Sequence, residues 1–424
     1  MILHIDIDCF FVSAHRINNP NLRNIPVAVG GRSNLSIFDT NNTKRKLSTI
    51  QGAFTSSILS STDHINSYEY FVDQDKRIRG IITTASYEAR AYGVKTAISA
   101  SQALQLCPTL KLLVPNYPLY HDLSYQLKIL LQKETPHIEQ FSIDEFFADI
   151  SGYIKDEDAL SFAKKLKDQI YTQIGIPVSI GIANTKWIAK LATNHAKPNG
   201  LKIVYKHEVD TYIQNIPIED FPGIGKGYTK RLKGRGINTL GDIRHRRELF
   251  ERWGINGLNI YNRALGIDKE KLAIETDKKS IGIGRTFDPI NCRKEIKRRL
   301  LILSRHLCFL AFKAKCNPMS YYIKIRYQYG QKVKETMKTN RLFHEEYFKN
   351  SIIELFEQID IHKSHNIIQL NISVSHFQNQ NTDTINLLHC EEDLKKAKLT
   401  SAIQSLREKH GIDIFKSANE LLIK

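Results

Sequence analysis

IEQFSIDEFFADI, residues 138–150, is the stretch on which the fold turns. Asp144 and Glu145 are neighbouring acids between alternating apolar runs, a pattern of strand, turn, strand. Side chains on a continuous strand alternate faces, so adjacent acids converge on one site only where the backbone turns. That places Ser142 to Glu145 at or beside a hairpin turn. The opening ILHIDIDCFF, residues 2–11, is the complement: Leu3, Ile5 and Ile7 share one strand face, Asp6 and Asp8 the other. Pairing the two strands gathers three or four carboxylates at one sheet end.

Such a cluster repels itself unless divalent cations neutralise it, and Mg²⁺ favours a few carboxylates completed by phosphate and water oxygens. Two ions about 4 Å apart stabilise the attacking and leaving oxygens of an in-line phosphoryl displacement. Asp6, Asp144 and Glu145 are therefore the expected catalytic acids. The bland alternative is an ordinary solvated acid pair at a turn.

The 424 residues exceed one ordinary core, so several domains are expected. A formal charge of +17 suits a polyanionic partner. Six scattered cysteines, without a C-x-x-C, indicate neither a disulfide framework nor a zinc site. With a strand starting at residue 2 and no membrane-length apolar run, a cytoplasmic protein is expected.

Along the chain, Phe10 and Phe11 sit where the acid-bearing strand leaves the site. Phe10 reads as core and is grouped with the nucleotide pocket, while Phe11 is placed as a flat wall under a bound sugar. IPVAVGG is a short strand; 33–79, polar and charged, reads as an insertion. In IITTASYEAR, Thr84 precedes a helix whose Tyr87 and Arg90 share a face at i, i+3, a candidate triphosphate clamp. Helices are expected over 119–134 and 158–174, then the strand VSIGIA and the helix NTKWIAKLATNHA, followed by Lys197 as either a surface cation or a phosphate ligand. Pro222-Gly223-Ile224-Gly225 forms a tight turn opening onto a helix with Lys226 and Lys230, resembling a helix-hairpin-helix grip on a nucleic-acid backbone. After the linker ETDKKS, 275–280, a βαββαβ module carries Arg285, Lys324 and Arg326 and the basic run Arg293, Lys294, Lys297, Arg298 and Arg299 as a second basic hand on the duplex. Residues 378–424 form a charged tail with a short apolar plug, Thr384 to Leu388, that either docks in a partner or packs on its own domain.

Taken in order, HIDIDCFF, TASYEAR, FSIDE, AKPNG, the PGIG hairpin and KSIG resemble the Y-family DNA polymerases, translesion enzymes of the DinB/UmuC type. The resemblance implies an α+β multidomain right hand. Palm would be 1–10 and 117–205, fingers 11–116 with the insertion 33–79, thumb 206–274 and little finger 281–377. It implies Asp6, Asp144 and Glu145 as ligands of two Mg²⁺ ions, with Mn²⁺ as a substitute and the Ile7 carbonyl assisting. Phe11 would be the steric gate, and Thr84, Tyr87, Arg90 and Lys197 would hold the incoming dNTP. Primer-template DNA is the implied partner, with a sliding clamp at Thr384–Leu388 and accessory subunits as further ones. The sequence departs from the family in the length of 33–79, in Ser99 where many relatives have proline, and in Thr384 and Leu388 of the clamp peptide. The rivals are a DNA- and clamp-binding scaffold with a silent palm and a nucleotidyl cyclase on a related palm.

Overall fold

The computed structural model describes residues 1–33, 35–39, 67–73, 75–273, 278–378 and 387–421. Two compact units emerge: Met1–Gly31 with Ile65–Thr276, and Arg32–His64 with Asp277–Lys424.

The first unit opens with β1 (Ile2–Ile7), α1 (Phe10–Asn18) and β2 (Val27–Gly31), then α2 (Ser67–Phe71), β3 (Ile81–Ala85), α3 (Tyr87–Ala91), α4 (Ala100–Leu106) and β4 (Lys111–Leu113). It continues through α5 (Tyr117–Glu134), β5 (His137–Gln140), β6 (Glu145–Asp149), α6 (Ala159–Ile174), β7 (Val178–Ala183), α7 (Lys186–Ala196) and β8 (Leu201–Val204). Four helices close it: α8 (Val209–Ile213), α9 (Lys226–Lys233), α10 (Arg247–Glu251) and α11 (Gly254–Ala264). Five strands form the main sheet in the order β5-β6-β1-β7-β8, and β3-β2-β4 form a small second one.

The main sheet explains the alternation in β1. Leu3, Ile5 and Ile7 enter a core with α5 and α6, while His4 reaches the other face and its Nδ1 lies 2.9 Å from Thr193 Oγ1 on α7. Every residue of β1 is buried, so the polar face is covered by a helix instead of lying open. Gly181 makes that cover possible: a Cβ there would stand 2.1 Å from the Ala189 carbonyl oxygen. The close approach seats α7 over the sheet. On its far side α7 shares a core with the closing helices, Trp187, Ile188 and Leu191 packing among Phe221, Ile224 and Phe250. The stretch 206–274 is thus anchored on α7. The strand β8, parallel to β7, carries no strong signal in the sequence because it is only four residues long.

The second unit contains β9 (Ser280–Ile290), α12 (Arg293–Lys313), β10 (Asn317–Tyr327), β11 (Lys332–Lys338), α13 (Glu345–Ile359), β12 (Ile367–Gln378) and α14 (Cys390–His410). Its antiparallel sheet runs β11-β10-β12-β9. Alternation along β10 sends Tyr321, Ile323, Ile325 and Tyr327 into a core with α12 and α13.

Two expectations change here. The segment 33–79 is not all fingers: Ile37 and Phe38 belong to the core of the second unit, Arg298 donates to the Phe38 carbonyl (3.0 Å), and Ser33 Oγ accepts the Thr286 N–H (3.2 Å). Residues 34, 40–66 and 74 of that segment lie outside the described residues. The tail is an integral part of its unit: Ile412 is core, and Glu420 and Asp413 pair with the buried Arg305 at 2.6 and 3.0 Å. Of the clamp-like plug, Thr384 to Asn386 lie outside the described residues, and Leu388 is 88% exposed.

Candidate active site

The hairpin between β5 and β6 turns at residues 141–144. Ser142 directs the turn, its hydroxyl donating to Asp144 Oδ1 (2.5 Å) and accepting the Glu145 N–H (3.1 Å). The ladder then sets Glu145 directly opposite Asp6, and the Ile7 N–H donates to the Asp144 carbonyl (3.0 Å). The three acids therefore meet at one sheet end.

Two ammonium groups from the α7 region stand over them. Lys197 Nζ lies 2.7 Å from Asp6 Oδ1, and Lys190 Nζ pairs with Glu145. Burial pushes the Asp6 carboxyl up to about 7, with Lys197 opposing and Asp144 and Glu145 adding to the rise. Asp144 is also raised, by burial and then by Glu145 against the Ser142 hydrogen bond. His4, fully buried with Nε2 3.9 Å from Glu145, is held well below the usual histidine range by burial and by Lys190, Lys197 and Lys186. It is a neutral ring beneath the acids.

These acids are hard oxygen donors with incompletely offset charge, which is the donor chemistry of a Mg²⁺ site. Among the described residues no three Asp, Glu, His or Cys side chains come together so as to hold a metal ion. Mg²⁺ sites with one or two carboxylates completed by substrate phosphates need no such group of three, so the residues fit the group.

Phe10 belongs to the core at 2% exposure, as the sequence leads one to expect. Phe11 is half-buried and stacks on Tyr120, centroids 4.1 Å apart and planes 6° apart, with Tyr117 edge-on at 6.2 Å. Its ring is thus fixed by neighbours. Thr84 stands half-buried on β3 opposite Val29. Ser86 caps α3 by accepting the Ala89 N–H, which presents Tyr87 and the exposed Arg90 on one side, the guanidinium 5.1 Å from the Tyr87 ring centroid. Tyr87 Oη reaches Asp8 Oδ1 at 3.2 Å, which ties this helix to the acid-bearing strand.

The hairpin Pro222–Gly225 stands before α9, with Gly223 at φ 103 and Ile224 buried in the core of the closing helices. Lys226 and Lys230 project exposed from it. In the second unit, Lys324 and Arg326 lie on the sheet face opposite the helices. Register sets Lys334 directly across from Lys324 and Lys332 from Arg326. Like charges in facing positions cost stability unless a polyanion covers them. Arg285 does not join this patch, because its register partner is the buried Leu370. The run 293–299 is mostly committed internally: Arg293 pairs with Asp360, Lys297 with Glu357, and Arg298 and Arg299 with Glu295.

Sequence reasoning passed over Lys190, Ser142 and the Tyr117–Tyr120 support of Phe11. A signal existed for the first, since Lys186, Lys190 and Lys197 recur at four- and seven-residue spacing, one helical face. Ser142 acts on residues two and three positions ahead within its own turn, whereas the Tyr117–Tyr120 support depends on a contact between distant elements.

Residues 5–194 match the impB/mucB/samB family and 278–387 its C-terminal domain. The chain is 30% identical over 289 residues to DNA polymerase IV of Vibrio parahaemolyticus, covering 68% of this chain and 70% of that protein. It is 28% identical over 381 residues to DNA polymerase IV of Lactococcus lactis, covering 89% and 94%. Among solved structures, a Y-family DNA polymerase chimera of Dbh and Dpo4 superposes with a TM-score of 0.71 at 23% identity, covering 91% of this chain and 99% of the other. The chain therefore belongs to the impB/mucB/samB family, the DinB-like Y-family DNA polymerases.

Proposed function

We propose that the acids of β1 and β6 add deoxynucleotides to a primer 3′-hydroxyl under direction of a template strand, so that this DNA polymerase acts in translesion synthesis. The primer oxygen attacks the α-phosphorus of the dNTP, the bond to the β-phosphate oxygen breaks, and pyrophosphate leaves. The observation that carries this reading is the meeting of Asp6, Asp144 and Glu145 beneath two lysine ammonium groups.

Asp6, Asp144 and Glu145, with the Ile7 carbonyl, would hold two Mg²⁺ ions, or Mn²⁺. When bound, such ions lower the pKa of the attacking hydroxyl and offset triphosphate charge. The chain's own groups do the rest. Lys197, with Arg90 and Tyr87, is placed to bind the triphosphate and to offset charge on the departing pyrophosphate. Thr84 completes that clamp. Phe11, fixed by Tyr120, is a rigid wall against which a ribose 2′-hydroxyl would clash. The Pro222–Gly225 hairpin with Lys226 and Lys230 grips backbone phosphates without reading bases, as do Lys324 and Arg326 on their open sheet face. Arg285, turned toward the helix-covered side by its register, drops out of this set. No helix among the described residues is long and apolar enough to cross a membrane.

Single-nucleotide primer extension with Mg²⁺ tests the reading. Asp144→Ala should lose at least about a thousandfold in rate while retaining primer-template binding. Phe11→Ala should accept ribonucleotides that the wild type refuses. Tight duplex binding by a wild type that extends nothing would favour the silent scaffold.

A further inference from the structure

Asp8 is a buried carboxylate, 3% exposed, that the proposed chemistry leaves unused. It follows β1 directly and precedes Cys9, whose left-handed φ of 46° turns the chain from strand into α1. Its backbone is held on both sides: the N–H donates to the Pro177 carbonyl (3.0 Å), and the carbonyl accepts the Ser13 hydroxyl (2.5 Å). Its carboxylate accepts from three separate places. Tyr87 Oη lies 3.2 Å from Oδ1, Ser179 Oγ 3.0 and 2.9 Å from the two oxygens, and the Asn199 N–H 2.7 Å from Oδ2. Among the described residues no lysine, arginine or histidine pairs with it.

A buried charge without a cation is costly unless its acceptor capacity is needed. Here it is needed, because all three partners are donors and they approach both oxygens. Tyr87 stands on the helix that carries Arg90, and Asn199 lies two residues after Lys197. One carboxylate thus joins the two sides of the pocket that would grasp the triphosphate, and it is fixed two residues from Asp6.

We propose that Asp8 is a positioning residue for the incoming nucleotide, fixing the Tyr87–Arg90 helix and the Lys197 loop in register with the acid-bearing strand. The proposal rests on the polymerase reading. It separates Asp8 from the acids that act in the reaction, since Asp8 works through Tyr87 and the Lys197 loop.

Asp8→Asn is the informative change. An amide has a single acceptor oxygen, so it can serve the Asn199 N–H or the Tyr87 hydroxyl as now arranged but not both, while shape is kept. Losing a hydrogen bond to a charged acceptor predicts about a tenfold rise in KM for the dNTP, with kcat within about threefold of wild type. In a Tyr87→Phe background the further effect of Asp8→Asn should shrink below about threefold, because one shared tie is already gone. Unchanged KM, full additivity with Tyr87→Phe, or a fall in kcat at constant KM would each overturn the proposal. Should Asp8→Asn fail to fold, as judged by thermal melting, Ser179→Ala removes the hydroxyl ties to Asp8 together with the acceptor of the Gly200 N–H (3.3 Å). It should give the same KM-only pattern at about threefold, and an unmoved KM there would equally refute it. Equilibrium titration with dNTP reads the same weakening without turnover. If the wild type extends no primer the polymerase reading fails by itself, and the titration still decides the role of Asp8.

Discussion

The acids of the active site and those of the second unit's ion-pair network are both withdrawn from solvent, and they are in opposite electrostatic condition. In the first unit Asp6 and Asp144 are raised by burial and by one another, despite Lys197 and Ser142. In the second, burial pushes Glu420 the same way, yet Arg305 and Lys349 outweigh it and hold the group below its ordinary value. Glu345 is likewise held down by Arg407 and Lys349 against burial, and Asp393 by Arg341 and His344. The residue types are the same. What differs is whether each acid has all the cations and donors it needs, and that separates acids kept for chemistry from acids kept for structure.

The largest way to break this comparison is Glu420→Gln. The substitution leaves Arg305 with Asp413 as its one carboxylate beside the Ile412 carbonyl and takes a carboxylate from Lys349, so it should destabilise the second unit by about 3 kcal/mol. Urea denaturation followed by circular dichroism measures this. No loss would mean that the network is ornamental and the distinction empty.

Asp6→Asn should do the reverse. A carboxyl raised to about 7 when folded, against about 3.9 unfolded, binds its proton more tightly in the native state. Its effect is therefore a stability that is full below about pH 4 and declines as pH rises toward 7. The variant should lose that decline and, at pH 7.5 in metal-free buffer, be more stable than wild type by on the order of 1 kcal/mol. For Glu420, lowered in the fold, the contribution is present above its unfolded pKa and lost as pH falls through the folded one. Denaturation midpoints across about pH 2–8 distinguish the two slopes, the Glu420 one lying below its ordinary carboxylate range and the Asp6 one between about 4 and 7, and parallel curves for wild type and Asp6→Asn would refute the contrast.

The smallest effect sharpens the comparison at exposed cations. Lys226 and Lys230 have no carboxylate partner among the described residues, unlike Arg293 or Arg298. Replacing both with alanine should reduce the slope of log affinity for primer-template DNA against log salt by about two, with little change in stability. Fluorescence anisotropy over a salt series reads this directly. An unchanged slope would mean that the hairpin does not touch phosphate.

Much of the active-site sheet was legible because its signals are local. The alternation around Asp6, the turn at Ser142–Glu145 and the capped SYEAR helix each follow from residues a few positions apart. So does the βαββαβ order, which the second unit keeps. The rest depends on long-range pairing. The burial of Asp6 comes from α7 closing over Gly181, and the displacement of Arg285 follows from β-ladder register. The pairing of Arg298 with Glu295 is local, but its bond to the Phe38 carbonyl needs a segment 260 residues away. Composition counted these cations equally, although several of them are internal partners.

Residues 32–38 give the chain an unusual continuity. The second unit is built from two separated stretches of sequence, so it is inserted within the first as well as appended after it. Cutting the peptide chain at 274–279 would leave the C-terminal stretch held to the rest of its own unit only by the noncovalent contacts of Ser33, Ile37 and Phe38. The junctions at 31–32 and 64–65 would hold only the 32–64 stretch to the first unit, and a truncation ending at 276 would retain Ile37 and Phe38 without the hydrophobic core that now receives them.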